Sequence, residues 1–420
     1  MTELETLAKQ TAPDSPQQPP SRDALLQSAE ALIPLLREQQ AEADMRGHYS
    51  EEAHRAMLAG GLYRIVQPRM FGGLEMSWCT LLEVTARIAR GHPSSGWCYC
   101  LSTSHALLLA SHWPEQAQRE LFGSDGDFRA PHRAVPAGVF TPVEGGYRVS
   151  GVWSYSSGIP YATHFFGGGM IPRAGATAGG NFIVARSEVE VLPDWGGDAV
   201  LGMQGSGSNS VKLDEVFVPD RQVAFADALF GQDLDWAQGT PGTRLHGNPM
   251  YLGVAGGAYH LCFSAIMSGA ARAALDEYEE LIRGRKAYGS RNPMVQDPDI
   301  HRHLGDILTL VECAEAILRG AAEIYEGYLE RWGRTGAPIT TEDTMRVWAM
   351  GRQSSFMSCA AVEQMFHSGG VASANRGQRL QRYFRDVQMF RIHPSSQSWV
   401  PEARGQTHVG LPPAKFQLRR

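Results

Sequence analysis

One segment of the chain combines aromatic and hydroxyl side chains in a pattern suited to holding a flat heteroaromatic ring. Residues 153–158 read Trp-Ser-Tyr-Ser-Ser-Gly and end a stretch in which apolar and polar residues alternate. Hydroxyls and free backbone amides at a strand end can hydrogen-bond such a ring, and a glycine lets the backbone approach it closely. The alternative is a serine-rich turn that faces solvent, and the residues alone do not decide between the two.

A second segment, residues 202–210, combines glycines and serines and reads Gly-Met-Gln-Gly-Ser-Gly-Ser-Asn-Ser. The usual dinucleotide fingerprint follows a strand and opens a helix, so that phosphate lies at the helix N-terminus. Here a predicted strand follows instead, so that fingerprint is absent. Consecutive backbone amides can still form an anion-binding nest.

Two of the fourteen histidines lie at junctions between predicted elements. His132 lies where helical periodicity gives way to strand alternation, and His393 lies where the last long helical segment ends. An imidazole titrates near neutral pH and can act as a general base, but at a junction it can equally cap a helix or bond within the core. His105 is a third candidate, whereas His301 and His303 fit a solvated helix face.

Three basic residues, Arg283, Arg285 and Lys286, close a predicted helix. Cations there complement the helix dipole, and the same side chains can clamp a phosphate or an anionic ring. The histidines and the six cysteines show no HExxH, CxxC or zinc-type spacing, so we expect no metal site and buried, reduced thiols.

The composition limits the class of protein that can carry these residues. The chain has 420 residues, and 43% of them are apolar, which excludes a disordered or disulfide-stapled protein. Its net charge of −6 gives no positive electrostatic field that would attract nucleic acid. No apolar stretch approaches the roughly 20 residues of a membrane helix, and the polar N-terminus lacks a signal sequence. We therefore expect a cytoplasmic protein without membrane or nucleic-acid partners.

Helical periodicity covers the first block, residues 22–123. Leu25, Ala29, Leu32 and Leu36 recur at steps of three or four, and Ser50 precedes two glutamates as an N-cap would. Further helices are predicted near 81–89 and 96–110, and in a short helix that carries Pro114 in its first turn. These helices form one predicted unit.

The second block, about 126–240, has the period of two that is typical of strands. Tyr147, Val149, Trp153 and Tyr155 are predicted on one face of a strand that follows a Gly-Gly turn. Strands are also predicted at 182–191 and 211–218, where each ends in proline or glycine.

Long helices return in the third block, about 250–392. One apolar stripe is continuous from 304 to 328, and similar segments cover 253–285, 341–369 and 376–390, which predicts a four-helix bundle.

The three blocks predict an α+β fold that is mostly α. We expect an N-terminal helical domain at 22–125, a small central β-sandwich or barrel at 126–245 and a C-terminal four-helix bundle at 246–400. A disordered tail is expected at 1–21 and a second tail at 401–420.

Several motifs, in this order and spacing, resemble the acyl-CoA dehydrogenase fold superfamily. Within it, the chain resembles the two-component flavin monooxygenases, such as the oxygenase of p-hydroxyphenylacetate hydroxylase and dibenzothiophene monooxygenase. The motifs are Ser94-Ser-Gly-Trp97, Gly145-Gly-Tyr-Arg-Val-Ser-Gly151, Trp153 to Gly158, Gly205-Ser-Gly-Ser208, Val216-Phe-Val-Pro219, His303-Leu-Gly-Asp306, Gly369-Gly370 and Leu380-Gln-Arg-Tyr-Phe-Arg-Asp386.

The resemblance implies an enzyme that takes reduced FMN or FAD from a separate NAD(P)H:flavin reductase. A flavin hydroperoxide formed with dioxygen would then oxygenate an aromatic or polycyclic small molecule. Acyl-CoA dehydrogenases commonly carry a glutamate base shortly after the Arg-Asp of the last bundle helix, whereas residues 390–397 here hold no carboxylate and do hold His393. A dehydrogenase-type flavin oxidoreductase remains the alternative, and a non-catalytic member is a third reading.

The resemblance also assigns roles to residues. His393 would deprotonate a phenol, His132 (and, with less support, His105) would contact substrate, and Ser157 would lie at the flavin–substrate junction. The residues implied to bind the cofactor are Trp97, Ser156, Ser157, Gly205, Ser206, Ser208 and Arg285, with Arg283 as an alternative to Arg285. Trp348 and Trp399 are either pocket or core residues, and a homotetramer is expected, with a dimer as the fallback.

Overall fold

The N-terminal segment is helical, as predicted. The computed structural model describes residues 19–173, 175–225, 234–253, 255–286, 292–396 and 399–413. Its first eight helices are α1 Arg22–Ala31, α2 Ile33–Glu38, α3 Gln40–Arg46, α4 Glu51–Ala59, α5 Trp78–Gly91, α6 Pro93–Thr103, α7 Ala106–His112 and α8 Glu115–Phe122.

Two details of the N-terminal helices differ from the prediction. The side chain of Ser50 accepts a hydrogen bond from the Ala53 amide and caps α4, as expected. The single helix predicted at 96–110 is interrupted between α6 and α7, where Ser104 and His105 join the two helices. Pro114 is the N-cap of α8 and lies outside its first turn, because its extended backbone precedes the helix.

The β segment is a two-layer sandwich. Its strands are β1 His132–Arg133, β2 Val139–Val143, β3 Gly146–Trp153, β4 His164–Arg173, β5 Ala176–Ala185, β6 Glu190–Val191, β7 Val211–Pro219 and β8 Val223–Phe225. One sheet has the order β1-β4-β5-β8 and the other β2-β3-β7-β6. Phe140 and Trp153 from the second sheet share a buried core with Phe165 and Phe182 from the first.

Two strand predictions are wrong. The strand expected at 182–191 ends at Ala185, and a helical turn carries the chain into β6 of the other sheet, so one strand cannot continue. Tyr155 does not share the buried face of Trp153: β3 ends at Trp153, and Tyr155, beyond the end of the strand, has a φ of 63° and is 62% exposed.

The C-terminal segment forms the predicted four-helix bundle. A short helix, α9 Pro241–His246, precedes it, and the bundle helices are α10 Ala255–Gly284, α11 Pro298–Thr335, α12 Thr341–Ser368 and α13 Arg379–Arg391. The predicted stripe on α11 is confirmed, since Val311, Ala314 and Tyr325 are buried against the other helices.

The tail expected at 401–420 begins with ordered structure. Helix α14, Trp399–His408, buries Val400 and Ala403 against α12. Pro401 stands in its first turn, where a missing N–H costs nothing, so this proline is compatible with the helix. The expected tail at 1–21 falls largely on residues 1–18, which lie outside the described residues, as do 414–420.

Three chain-wide expectations concern the cysteines, membrane helices and metal sites of the described residues. All six cysteines are free, and five of them are buried or half-buried, but Cys313 is exposed on α11, contrary to the expectation of buried thiols. Of the helices described, none has the length and apolarity that a bilayer crossing requires. The same residues hold no group of three or more His, Cys, Asp or Glu that could bind a metal.

Candidate active site

Three serine hydroxyls from two separate segments meet at the junction of the sandwich and the N-terminal helices. Ser157 Oγ lies 2.7 Å from Ser208 Oγ, which lies 2.6 Å from Ser206 Oγ. The indole Nε1 of Trp97 on α6 donates to Ser157 Oγ at 3.1 Å. These three serines, all buried, are called the serine cluster below.

The serine cluster has one proton available for a ligand. If Ser206 donates to Ser208 and Ser208 donates to Ser157, then Ser157 accepts from both Ser208 and Trp97 and its own proton remains free. A buried hydroxyl with a free proton is a donor for a ring nitrogen or carbonyl of a bound heterocycle. This arrangement agrees with the role implied for Ser157.

Unusual backbone conformations place the serine cluster. Gly158 has a φ of 93°, and its amide donates to the carbonyls of Ser206 and Gly207, which ties the two serine-containing segments together. A Cβ on Gly158 would lie 2.7 Å from the Cys98 carbonyl oxygen, so only glycine fits between this turn and α6. The glycine signal in the sequence therefore marks a close backbone approach.

Ser156 does not belong to the serine cluster. Its hydroxyl donates to the Trp153 carbonyl at 3.3 Å and its amide donates to the Asn209 carbonyl at 3.0 Å. The side chain is fully buried and is used within its own turn. Ser157 is thus the serine that the fold presents, and the role of Ser156 in cofactor binding stays a prediction.

A wall of rings stands beside the serine cluster. The Trp97 ring lies 4.9 Å from Phe263 on α10 and 5.4 Å from His393, and Phe263 lies 4.7 Å from His393. We call Trp97, Phe263 and His393 the ring wall. His393 lies just after the end of α13, and Trp97 is the residue whose indole donates to Ser157. The structure therefore brings His393, Trp97 and Ser157 together.

His393 is neutral at physiological pH. Burial, with a smaller contribution from the charge of Arg133, lowers the pKa of His393 to about 4. A neutral imidazole has a lone pair to accept a proton, which a general base requires.

His132 and His105 form a second imidazole pair, with ring centres 5.2 Å apart. His132 Nε2 bonds the Asn181 side-chain oxygen at 2.8 Å, and His105 Nδ1 donates to the Ala130 carbonyl at 2.8 Å. Burial lowers the pKa of His132 to about 3 and that of His105 to about 4. His105 also stacks on Tyr259 of α10, at 5.3 Å. The pair therefore links α7, β1 and the bundle.

Arg133 is a residue that the sequence reasoning missed. Its half-buried guanidinium lies 6.0 Å from the Tyr155 ring, and none of the ion pairs formed within the described part of the chain includes it. Neighbouring residues of a strand point to opposite faces, so Arg133 and His132 face different neighbours. Its charge acts on His393 and it can hold an anion there. The sequence signal that could have identified Arg133 is its position next to His132, a candidate site residue.

Arg285 is not brought to the serine cluster within one chain. Its guanidinium donates to the Gly369 carbonyl at 3.2 Å, at the end of α12. Phe263 of the ring wall lies 22 residues earlier, which is about 33 Å along a helix. Arg283 pairs with Glu279 on the helix surface. A cofactor role for either arginine stays a prediction, and single-chain geometry gives it no support.

Gly205 lies in a loop that is tied to the bundle. The carboxylate of Asp386 on α13 accepts a hydrogen bond from the Met203 amide at 2.6 Å. A Cβ on Gly205 would lie 2.9 Å from His92 Cε1, so this backbone packs directly on the imidazole. His92 Nε2 lies 3.2 Å from Asp44 Oδ1, and Asp44 Oδ2 accepts a hydrogen bond from Arg382 at 2.7 Å. This buried network positions the segment that carries Ser206 and Ser208.

The donor set of this region fits a reduced flavin. With the serine protons ordered toward Ser157, its remaining proton suits an acceptor on the ring, and the guanidinium of Arg133 suits the negative charge of a reduced isoalloxazine. The ring wall supplies flat apolar surface beside them. The charge that acts on His393 of the ring wall is that of a cation, Arg133.

Comparison with known proteins agrees with the fold that carries this site. Residues 22–123 match the acyl-CoA dehydrogenase N-terminal domain and residues 261–398 match the acyl-CoA dehydrogenase C-terminal domain. The oxygenase subunit HsaA of a flavin-dependent monooxygenase from Rhodococcus jostii is 26% identical, over 92% of this chain and 98% of that protein. The oxygenase component of an FADH2-dependent resorcinol hydroxylase from a Rhizobium species is 29% identical, over 86% and 88%.

A solved structure extends the likeness to the whole fold. The crystal structure of the HsaA monooxygenase from Mycobacterium tuberculosis superimposes with a TM-score of 0.83 and 25% identity, covering 94% of this chain and 99% of that one. The sandwich between two helical segments, and the two domain matches that together span more than half of the sequence, lead to one conclusion. The chain belongs to the acyl-CoA dehydrogenase family.

Proposed function

We propose that the protein is the oxygenase component of a two-component flavin-dependent monooxygenase. It uses reduced FMN or FAD from a separate NAD(P)H:flavin reductase, with dioxygen, to hydroxylate an aromatic or polycyclic small molecule. Bound reduced flavin supplies the activation of dioxygen. The observation that carries the proposal is the contact between the buried neutral His393 and Trp97, which itself bonds Ser157. The named relatives are oxygenase components of this kind.

The serine cluster and the ring wall hold the flavin in this proposal. Ser157 would donate a hydrogen bond to the flavin ring, with Ser206 and Ser208 donating along the chain that ends at Ser157. The Trp97 and Phe263 rings exclude water from the same region, which protects a reactive oxygen species from hydrolysis and proton leakage.

His393 and Arg133 act on the substrate. His393 accepts the proton of a substrate phenol, which raises the electron density of the ring that is to be attacked. Arg133 by itself disfavours a proton on His393, so the imidazolium is stabilised only while a phenolate lies beside both groups. We also propose that His132 and His105 contact the substrate from the strand side.

The dehydrogenase alternative lacks a base of the expected kind. Removal of an acidic proton next to a thioester calls for a carboxylate near the flavin. Residues 390–397 contain none, and His393 occupies the middle of that segment. A dehydrogenase would also be purified with oxidised flavin bound and would be yellow, whereas an oxygenase that borrows reduced flavin would be colourless.

Stopped-flow mixing tests the proposed function. The protein is mixed anaerobically with reduced FMN or FAD and then with oxygenated buffer, and flavin absorbance is followed in time. We expect a transient spectrum that is distinct from those of reduced and oxidised flavin. Reoxidation at the rate of free flavin, without such a transient, would remove the proposal. Tightly bound oxidised flavin in the purified protein would favour the dehydrogenase.

We propose a homotetramer, with a dimer as the fallback, since the bundle is the usual oligomer surface of the family that the chain resembles. Arg285, remote from the serine cluster of its own chain, would then serve a neighbouring copy. A cytoplasmic location follows from the need for an NAD(P)H-dependent reductase. Sedimentation velocity and fractionation are the corresponding measurements.

A further inference from the structure

A stack of rings extends the ring wall into the bundle. His260 on α10 stacks on Trp348 of α12 with ring centres 3.5 Å apart and an interplanar angle of 18°. Trp399 of α14 meets Trp348 edge-on at 4.6 Å. Three helices therefore contribute one ring each, and the flat faces form a continuation of the apolar surface that begins at Trp97.

Two nitrogens in this stack have no hydrogen-bond partner among the described residues. They are Nδ1 of His260 and Nε1 of Trp348, and both atoms are buried. Buried polar groups are nearly always hydrogen-bonded, so two orphans on stacked rings call for an explanation. By contrast, the similar indole N–H of Trp332 on α11 donates to the Trp236 carbonyl at 2.9 Å. Other buried side-chain atoms of the described residues also lack a partner, the indole Nε1 of Trp113 among them, but the two of this stack adjoin the ring wall through Phe263.

The stack is connected to His393 through one ring. Phe263 lies 5.9 Å from His260 and 4.7 Å from His393, so the two imidazoles share Phe263 as a neighbour. His260 and Trp348 therefore lie next to the ring wall, on the bundle side of Phe263. The stack is thus placed to contact the part of a substrate that is remote from the reacting hydroxyl.

The stack is electrically neutral. Burial, with a smaller contribution from His393, holds the pKa of His260 well below its usual range, so the imidazole is uncharged at neutral pH. Arg352, one turn further along α12, donates its Nε to the Ser396 carbonyl at 3.0 Å. The orphan nitrogens therefore suit a neutral oxygen atom, since a carboxylate would bring an uncompensated charge to an uncharged site.

We infer that His260 and Trp348 are specificity-determining residues that hydrogen-bond a neutral oxygen, such as a ketone or ether, at the far end of the substrate. This inference rests on the proposed function and narrows its substrate class. The preferred substrate is a phenol whose apolar framework carries a neutral acceptor remote from the hydroxyl group. Trp348 donates through Nε1, and the imidazole of His260 donates or accepts through Nδ1.

Matched phenols and matched variants test the inference. The probes are raspberry ketone, a phenol with a remote ketone, and para-butylphenol, which has the same length without the ketone. Their dissociation constants from the protein are measured by titration calorimetry, and their KM values in coupled turnover. The variants are Trp348→Phe and His260→Phe, which keep a stacking ring and remove the orphan nitrogens. Trp332→Phe is the control, because it removes an indole N–H that already has a protein partner.

For the wild type we expect raspberry ketone to bind about tenfold more tightly than para-butylphenol. This ratio of dissociation constants corresponds to the net contribution of one good neutral hydrogen bond. Trp348→Phe and His260→Phe should each reduce that ratio several-fold, while Trp332→Phe leaves it unchanged. Equal preference in the wild type, or equal weakening of both probes in the variants, would overturn the inference. Binding needs no turnover, so a failure here is distinguishable from the absence of a stopped-flow transient, which concerns the proposed function.

Discussion

The serine cluster and the ring wall adjoin through one residue, Trp97, and are built in different ways. In the serine cluster each hydroxyl bonds another, and glycines with left-handed backbone fix the two segments that carry them. In the ring wall Phe263 and His393 make broad face and edge contacts, which tolerate small displacements. A region of directional hydrogen bonds with one proton left over suits a ligand of fixed shape, the proposed flavin. A region of ring surfaces suits a substrate whose shape varies between enzymes.

The largest expected effect comes from replacing His393, the residue of the ring wall that can accept a proton. His393→Asn removes the base and keeps a polar side chain, so hydroxylation of a phenol should fall by about 100-fold or more. The stopped-flow transient with reduced flavin should persist, because the serine cluster is intact. Single-turnover product analysis measures the first effect. A full rate of hydroxylation would show that the ring wall contributes only shape.

The link between the serine cluster and the bundle can be weakened at Asp386. Burial raises the pKa of Asp386 to about 6, and Asp44 adds to the effect, so the charged carboxylate is penalised at pH 7. The wild type therefore gains stability as pH falls through 6 toward 4, and Asp386→Asn lacks this contribution. The free energy of unfolding of the variant relative to the wild type should decrease over that interval, by roughly 1–3 kcal/mol in all.

Urea unfolding at a series of pH values gives this difference directly. An amide at position 386 keeps an oxygen for the Met203 amide, so the loop should stay in place. A relative stability that is flat between pH 4 and 7 would contradict the raised pKa.

A smaller effect is expected within the serine cluster. Ser157→Ala removes the free proton and leaves Trp97 without its acceptor, so hydrogen peroxide should be released about tenfold faster in the absence of product formation. Ser156→Ala is the matched control, since its hydroxyl bonds only its own turn. Peroxide yield per flavin oxidised measures the effect, and equal behaviour of the two variants would move the role to another residue.

The smallest expected effect is a shift of a pH profile. Arg133 contributes to the low pKa of His393, so Arg133→Gln should move that pKa upward, toward its ordinary value. Activity needs the neutral imidazole and is lost as pH falls through its pKa. The acid limb of the kcat profile should therefore move to higher pH by less than about one unit. An unmoved limb would place Arg133 out of reach of His393.

The sequence predicts the fold well where periodicity is long. The stripe on α11 and the order of the three segments need only the spacing of apolar residues, and they are confirmed. Predictions fail where one residue changes the local geometry. The left-handed backbone at Tyr155 and the turn that carries the chain from β5 to β6 are set by packing between sheets, which no local pattern encodes.

Sequence motifs predict some residues of the candidate site, and the others can be recognised only from their neighbours in space. Ser157, Trp97 and His393 belong to motifs that the resemblance supplies, and the structure brings them together. Arg133 and His260 belong to no such motif, because their significance lies in missing partners. An orphan nitrogen or an unpaired guanidinium can be recognised only once all neighbours in space are known.

Helix α6 has a consequence for altering the substrate range of this enzyme. Every residue from Pro93 to Thr103 except Leu101 is buried, and the helix carries Trp97 on one side and the Cys98 carbonyl against Gly158 on another. A side-chain change anywhere on it disturbs the cofactor and the protein core at once. Mutant libraries aimed at new substrates should therefore leave this helix intact and diversify bundle positions such as His260 and Trp348.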